Sequence, residues 1–379
     1  MSGAPEILDY FKVMIEMKAS DLYLTVGYPP TARAEGVLYP LRRAPLTIEE
    51  INEIMSTTLT SRQRRDFEAH MELNTSLDVG KYGRYRVSAM RQRQLPAMVI
   101  RRIISQIPSF SELRLPELLQ ELCLEKRGMI LVTGMTGSGK STTLASMIDY
   151  RNTREQGHII TIEDPIEYYH EHKKSVVSQR EVGVDTESYS VALKNALRQR
   201  PDVILVGEIR DREVMEQTLM ASETGHLCLA TIHTTNAYQA IDRIVNMFSE
   251  EYHQQVRLNL SLNLKAIISQ RLVPSITGGM TLALEVMFNK GLIRELIHTG
   301  EISKIRDVME QNISSGMCTF DQSFLHLYKE GLISEETAIT NADQPGDLKI
   351  RIKQFNMGEK ADTMDALKKM DTSILSFSD

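Results

Sequence analysis

Tryptophan is absent from the 379 residues, cysteine occurs three times, and aromatic residues make up 6% of the chain. Cys123, Cys228 and Cys318 stand far apart without a C-x-x-C pair, which argues against a zinc ribbon or a disulfide framework. No apolar run approaches the roughly 18 to 20 residues that a membrane-crossing helix requires. The N-terminus carries Glu6 and Asp9 and lacks a basic segment followed by an apolar one, so no secretory signal is read and the cytoplasm is the expected compartment. Positive charge is also short, with a net charge of −6. That balance disfavours a chain whose main task is to grip a nucleic-acid backbone, although a local basic groove stays open. What remains is 42% hydrophobic content, ample for packing, on a length that suits two or three domains.

Against this background one segment stands out. Met129–Thr133 is a short apolar run of strand character, Gly134-Met135-Thr136-Gly137-Ser138-Gly139-Lys140-Ser141 is a complete phosphate-binding loop, and Thr142–Ile148 reads as a helix. The glycines permit positive φ, so that successive N–H groups point inward at phosphate oxygens, and the helix N-terminus adds partial positive charge. Lys140 is expected to reach the β and γ phosphates, and Ser141 to offer its hydroxyl to Mg²⁺. The bland alternative is a glycine-rich turn capping a helix.

The surrounding chain alternates in character. Leu8, Phe11 and Ile15 recur at helical spacing, followed by the alternating stretches Asp21–Val26 and Arg84–Met90, which together predict a small α+β domain. Ile107–Ser111 interrupts both periodicities before Leu118 begins a helix. Beyond Met129, strand candidates His158–Ile162, Val203–Val206 and Leu227–Ile232 alternate with helices, the pattern of a largely parallel sheet with ligands at the carboxyl ends of its strands. Past Gln270 the chain reads as more helical, Leu348–Lys353 alternates like an edge strand, and Glu359–Asp379 reads as a frayed tail, with a partner-binding helix as the alternative.

Acids follow two of these strands. Glu163-Asp164-Pro165-Ile166-Glu167 would emerge where one carboxylate could orient or deprotonate water. Val203–Val206 runs into Gly207-Glu208 like a Walker B strand, with glycine where an aspartate often holds Mg²⁺, so Glu208 is the candidate for the metal. His226 and His233 bracket the strand Leu227–Ile232. Seven steps of extended chain separate them too far to share one ion, leaving packed or capping histidines or a sensor of the γ phosphate as readings. For Arg84, Arg86, Arg91, Arg93, Arg101 and Arg102, the bland reading is a solvated sheet face, and the functional one is a rigid cation for the transferred phosphoryl group.

These blocks in this order resemble the secretion and type IV pilus ATPases, and within them the PilT/PilU-type retraction motors. Gly134–Ser141 matches the Walker A box, Ile162–Glu167 the Asp box, Gly207–Asp211 the Walker B region and Thr224–Thr234 the His box. Ala19–Leu24 is similar to the family's N-terminal signature, and Ile268–Leu272 to its post-sheet helix. The resemblance implies an α/β fold in which a RecA-like P-loop NTPase domain (116–345) follows a smaller α+β PAS-like domain (1–106) and a linker (107–115), with a C-terminal extension at 346–379. It further implies a homo-hexamer that hydrolyses ATP bound between the lobes and powers pilus retraction in twitching motility. Glu167 is then the catalytic carboxylate, with Glu163 and Glu208 supporting Mg²⁺ and water. Gly134, Thr136, Gly137, Ser138, Gly139, Lys140, Ser141 and Thr142 hold nucleotide, His226 and His233 report its state, and Arg86 and Arg101 serve as arginine fingers. Gly291–Leu296 matches only in part a segment that PilT-type motors need for retraction, and the chain runs on past Ile333. Both features look more like the PilU paralogue, an accessory motor working beside a PilT-like ATPase on an inner-membrane platform protein. No four-cysteine zinc site, typical of the assembly motors, is present in the sequence. Competing readings are a nucleotide-gated coupling protein acting by contact, an assembly or secretion ATPase of the same superfamily, and a kinase or DNA-translocating ATPase.

Overall fold

The computed structural model describes residues 7–103 and 106–357; the stretch Glu359–Asp379 lies outside them. The chain divides into two compact units, one from residues 1–108 and 152–201, the other from 109–151 and 202–379.

In the first unit, helix Ile7–Glu16 buries Ile7, Tyr10, Phe11 and Met14, one stripe at helical spacing. It packs on an antiparallel sheet of β1 (Asp21–Thr25), β2 (Thr31–Ala34), β3 (Val37–Pro40), β4 (Glu72–Asp78), β5 (Arg84–Gln92) and β6 (Leu95–Ile103), in the spatial order β3-β2-β1-β6-β5-β4. Period-two alternation sends Tyr85, Val87 and Ala89 into the core, where Phe11 stacks on Tyr85 with ring centroids 4.0 Å apart. Arg84 and Arg86 therefore leave the opposite face. Helices Ile48–Thr58 and Ser61–His70 both begin with capping boxes, Thr47 with Glu50 and Thr60 with Gln63. This is the small α+β domain expected from the sequence.

The remaining strands are β7 (Gly128–Gly134), β8 (Gly157–Glu163), β9 (Ser175–Glu181), β10 (Val203–Val206), β11 (Leu227–Ile232), β12 (Leu264–Pro274) and β13 (Met280–Phe288). β8 and β9 belong to the first unit and pair in parallel, from Gly157 opposite Ser175 to Glu163 opposite Glu181. In the second unit the order is β13-β12-β7-β11-β10, parallel except for β13. Every residue of β7, β10 and β11 is buried, as expected of parallel strands covered on both faces. Parallel pairing brings the carboxyl ends of β7, β10 and β11 to one edge of the sheet, where Gly134, Gly207 and His233 follow them.

Two expectations are overturned. Ile268–Leu272, read as a post-sheet helix, lies inside β12, hydrogen-bonded between β7 and β13. Ile268, Ser269 and Gln270 are buried in succession, so the stretch lacks the alternation that would mark it as a strand. Leu348–Lys353, read as an edge strand, lies in a helix over 345–357. Leu348 and Ile352, one turn apart, are its core contacts at 1% and 0% exposure, whereas Ile350 is 57% exposed.

Candidate active site

The loop after β7 has its residue types dictated by its shape. Gly134, Gly137 and Gly139 have φ of +147°, +80° and +86°. A Cβ at Gly134 would lie 2.4 Å from Ser138 Oγ and 2.6 Å from the Gln270 carbonyl oxygen, so no other residue fits. Lys140, 9% exposed, donates through Nζ to the carbonyl oxygens of Gly134 at 2.9 Å and Met135 at 3.0 Å, which holds its ammonium at the loop. The Ser138 hydroxyl is buried without a hydrogen-bond partner. An orphaned donor, a lysine and the first amides of helix Lys140–Arg154 together suit a phosphate chain. Ser141 and Thr142 sit half-buried in the first turn of that helix, and Thr136 is exposed.

A cavity of about 440 Å³ opens on this loop, walled by Thr235, Gln270, Arg271, Met280 and Asn341. Gln270 lies opposite Gly134 in the β12–β7 register and donates to Thr143 Oγ1 at 2.7 Å, while its Oε1 has no partner. Arg271 is fixed as a wall by the Asn341 carbonyl at 2.7 Å, by Asp343 Oδ1 at 2.7 Å and by the Phe320 ring 3.9 Å below it. Reading this segment as a helix hid both residues from the sequence argument.

Parallel pairing of β10 with β11, from Val203 opposite Leu227 to Val206 opposite Ala230, brings Glu208 and His233 together just past the strand ends. Glu208 Oε1 lies 3.2 Å from His233 Nε2, and its Oε2 accepts from Arg210 Nε at 2.8 Å. Burial, then the positive charges of Lys140, Arg243 and Arg210, hold the His233 pKa below that of free imidazole, with Glu208 pulling the other way. The ring is therefore neutral at pH 7, and an Nε2–H tautomer donates to Glu208. His226 stands at the other end of β11, about 20 Å away along a six-residue strand. Its Nδ1 is 3.0 Å from the Ala221 carbonyl and 3.2 Å from Thr224 Oγ1, at the end of helix Arg212–Glu223. The two histidines are not brought together.

In the first unit, Glu163 ends β8 with its carboxylate accepting from Thr161 Oγ1 at 2.6 Å, Gln179 Nε2 at 3.2 Å and the Glu167 amide. Burial nevertheless raises its pKa, with those donors opposing the rise. Glu167 is exposed. Arg86 and Arg101 face each other across β5 and β6 on the exposed side of the sheet, and Arg101 Nε is held 2.8 Å from Asp21 Oδ1. Asp21, in the N-terminal signature, offsets two like charges that would otherwise repel directly. Arg84, two residues from Arg86, instead reaches Glu181 Oε2 at 3.1 Å.

The chain as a whole is similar to known proteins. The family model for "Type II/IV secretion system protein" matches residues 46–307. A type IV pilus ATPase, PilU of Pseudomonas aeruginosa, is 47% identical, with 93% of this chain and 91% of that protein covered. The type IV pilus retraction ATPase PilT of the same organism is 41% identical over 90% of this chain and 99% of its own length. The crystal structure of the pilus retraction motor PilT with bound ADP superposes with a TM-score of 0.86 at 44% identity, covering 91% of this chain and 99% of that one.

Proposed function

We propose, from the premise that the chain belongs to the type II/IV secretion system protein family and is an ATPase of its PilT/PilU type, that it is an accessory retraction motor of type IV pili. The observation that carries the nucleotide reading is the buried, partnerless Ser138 hydroxyl inside a glycine loop whose lysine and helix start converge on the same space. The higher identity to PilU than to PilT, 47% against 41%, supports the accessory role.

In this reading the loop amides, Ser138 and Lys140 bind the β and γ phosphates, and the cavity walled by Gln270 and Arg271 takes the rest of the nucleotide. Water attacks the γ phosphorus, the bond to the bridging oxygen of ADP breaks, and Glu167 accepts the water's proton. Glu163, tied by three donors, fixes the loop from which Glu167 projects. Among the described residues no group of three or more His, Cys, Asp or Glu is arranged to hold a metal alone. Mg²⁺ would be held by phosphate oxygens with Ser141 and Glu208, hard oxygen donors that suit it, and when bound it draws off negative charge from the phosphates. Neutral His233 senses the γ phosphate through Glu208, and His226 braces the helix before β11. Arg86 and Arg101 supply positive charge to nucleotide held by a neighbouring copy in a ring of six.

The ring works at the cytoplasmic side of the pilus base, on the inner-membrane platform protein and beside a PilT-like motor. No helix among the described residues is long and apolar enough to cross a membrane. The test is Lys140→Ala in the host chromosome, with pilus retraction rate and stall force measured with the PilT-like motor present. Loss of retraction under load is expected. Retraction at the unaltered rate and force would refute the motor role.

A further inference from the structure

Gln179 and Glu181 lie two residues apart on β9, so their side chains leave the same face of the strand. The segment 164–170 crosses that face and is held there at alternate residues. Glu181 Oε2 accepts from the Ile166 amide at 3.2 Å, Gln179 Nε2 donates to the Tyr168 carbonyl at 2.8 Å, and Gln179 Oε1 accepts from the His170 amide at 2.8 Å. The second hydrogen on Gln179 Nε2 goes to Glu163. The backbone is thus tethered on both sides of Glu167, while the Glu167 side chain itself is exposed.

This bracket has a far end. Glu181 is 2% exposed, and a carboxylate so buried requires a cationic partner. Arg84 supplies it from β5, and the same Arg84 Nη2 also bonds Ser76 Oγ on β4 at 3.2 Å. A chain of direct contacts therefore runs from two strands of the N-terminal sheet, through one ion pair, to the backbone amide of the residue before Glu167.

We propose that Arg84, Glu181 and Gln179 are positioning residues for hydrolysis, carrying the placement of the N-terminal sheet into the loop that presents Glu167. The inference rests on the reading above that Glu167 handles the attacking water. It separates two arginines on one sheet face: Arg86 stays exposed for an external phosphate, and Arg84 is committed to the loop. A positioning role predicts a defect in turnover rather than in nucleotide affinity, because none of the three side chains belongs to the phosphate-binding loop.

The test is steady-state phosphate release by the full chain with Mg²⁺ and ATP for Arg84→Gln, Glu181→Gln, the double variant and Glu167→Gln. Glu181→Gln keeps an acceptor for the Ile166 amide and leaves no buried charge unpaired, whereas Arg84→Gln strands the buried Glu181 carboxylate, so urea unfolding of each variant at the assay pH accompanies the kinetics and rates are compared only for folded protein. Each single variant is expected to lose about tenfold or more in kcat with KM within about twofold. The double variant should be no worse than the poorer single, as members of one relay are non-additive. Unchanged kcat in both singles, with Glu167→Gln inactive, would overturn the relay and leave the Glu167 reading standing. Losses that multiply, or that appear in KM instead, would also overturn it. If Glu167→Gln hydrolyses at the wild-type rate, the Glu167 reading fails and the relay with it.

Discussion

Replacing Glu285 with glutamine should stabilise the protein in a strongly pH-dependent way. Glu285 lies on β13, 3% exposed, and accepts from the Ala237 amide at 2.7 Å, tying down the helix Ala237–Asn246 that begins just after His233. Burial pushes its pKa up to about 7 from 4.5, aided by Asp343 and opposed by the Ala237 amide, Arg271 and Ser269. Between those two values the folded state binds a proton that the unfolded state has released, so this carboxyl makes stability fall as pH rises from about 4.5 to 7 and leaves a constant penalty above. A shift of about 2.5 units at about 1.4 kcal/mol per unit gives a full penalty of roughly 3.5 kcal/mol. Glutamine keeps an acceptor for Ala237 and cannot ionise. The stability gain of Glu285→Gln over wild type, measured by urea unfolding at fixed protein concentration, should therefore grow by about 2 to 3 kcal/mol between pH 5 and pH 8. A gain independent of pH, or one larger at pH 5, would refute the assignment of a neutral buried carboxyl.

Histidine titration by NMR should place the His233 midpoint below 6.5, and Glu208→Gln should move it lower still, since Glu208 is the one neighbour favouring the charged ring; an upward move would contradict the pairing. Gly134→Ala should abolish detectable nucleotide binding by calorimetry while circular dichroism still reports a folded chain, because the added methyl meets Ser138 Oγ at 2.4 Å and the backbone of Gln270 at 2.6 Å; binding within tenfold of wild type would show that the loop yields.

What could be read from the sequence was local. A strand, a loop with three required glycines and a helix are contiguous in Met129–Ile148, and their chemistry follows from spacing alone. The period-two pattern of Arg84–Met90 likewise announced which face Arg86 would occupy. Glu208 and His233 were each visible as candidates, but their contact depends on β10 lying beside β11 in a particular register. His226 was grouped with His233 by its place in one motif, yet a buried strand separates their ends. Gln179 and Glu181 gave no signal, because Ser178-Gln179-Arg180-Glu181 reads as an ordinary polar strand until a loop is laid across it. Gln270 and Arg271 lie in a stretch that the resemblance assigns to a helix, and its burial, three consecutive buried residues followed by two half-buried ones, carries no alternation to oppose that assignment. The helix over 345–357 was misread because Leu348, Ile350 and Ile352 satisfy a two-residue period, whereas only the four-residue pair is buried.

The central claim is that the loop Gly134–Ser141 holds a nucleoside triphosphate for hydrolysis. Phosphate release from ATP and Mg²⁺ by the purified full chain, compared with Lys140→Ala, tests it most directly. Sustained release by the wild type and a loss of at least about a hundredfold in the variant are predicted, the scale for removing a charge aimed at the transferred group. Equal release by the two proteins, or none by a well-folded wild type, would contradict the account.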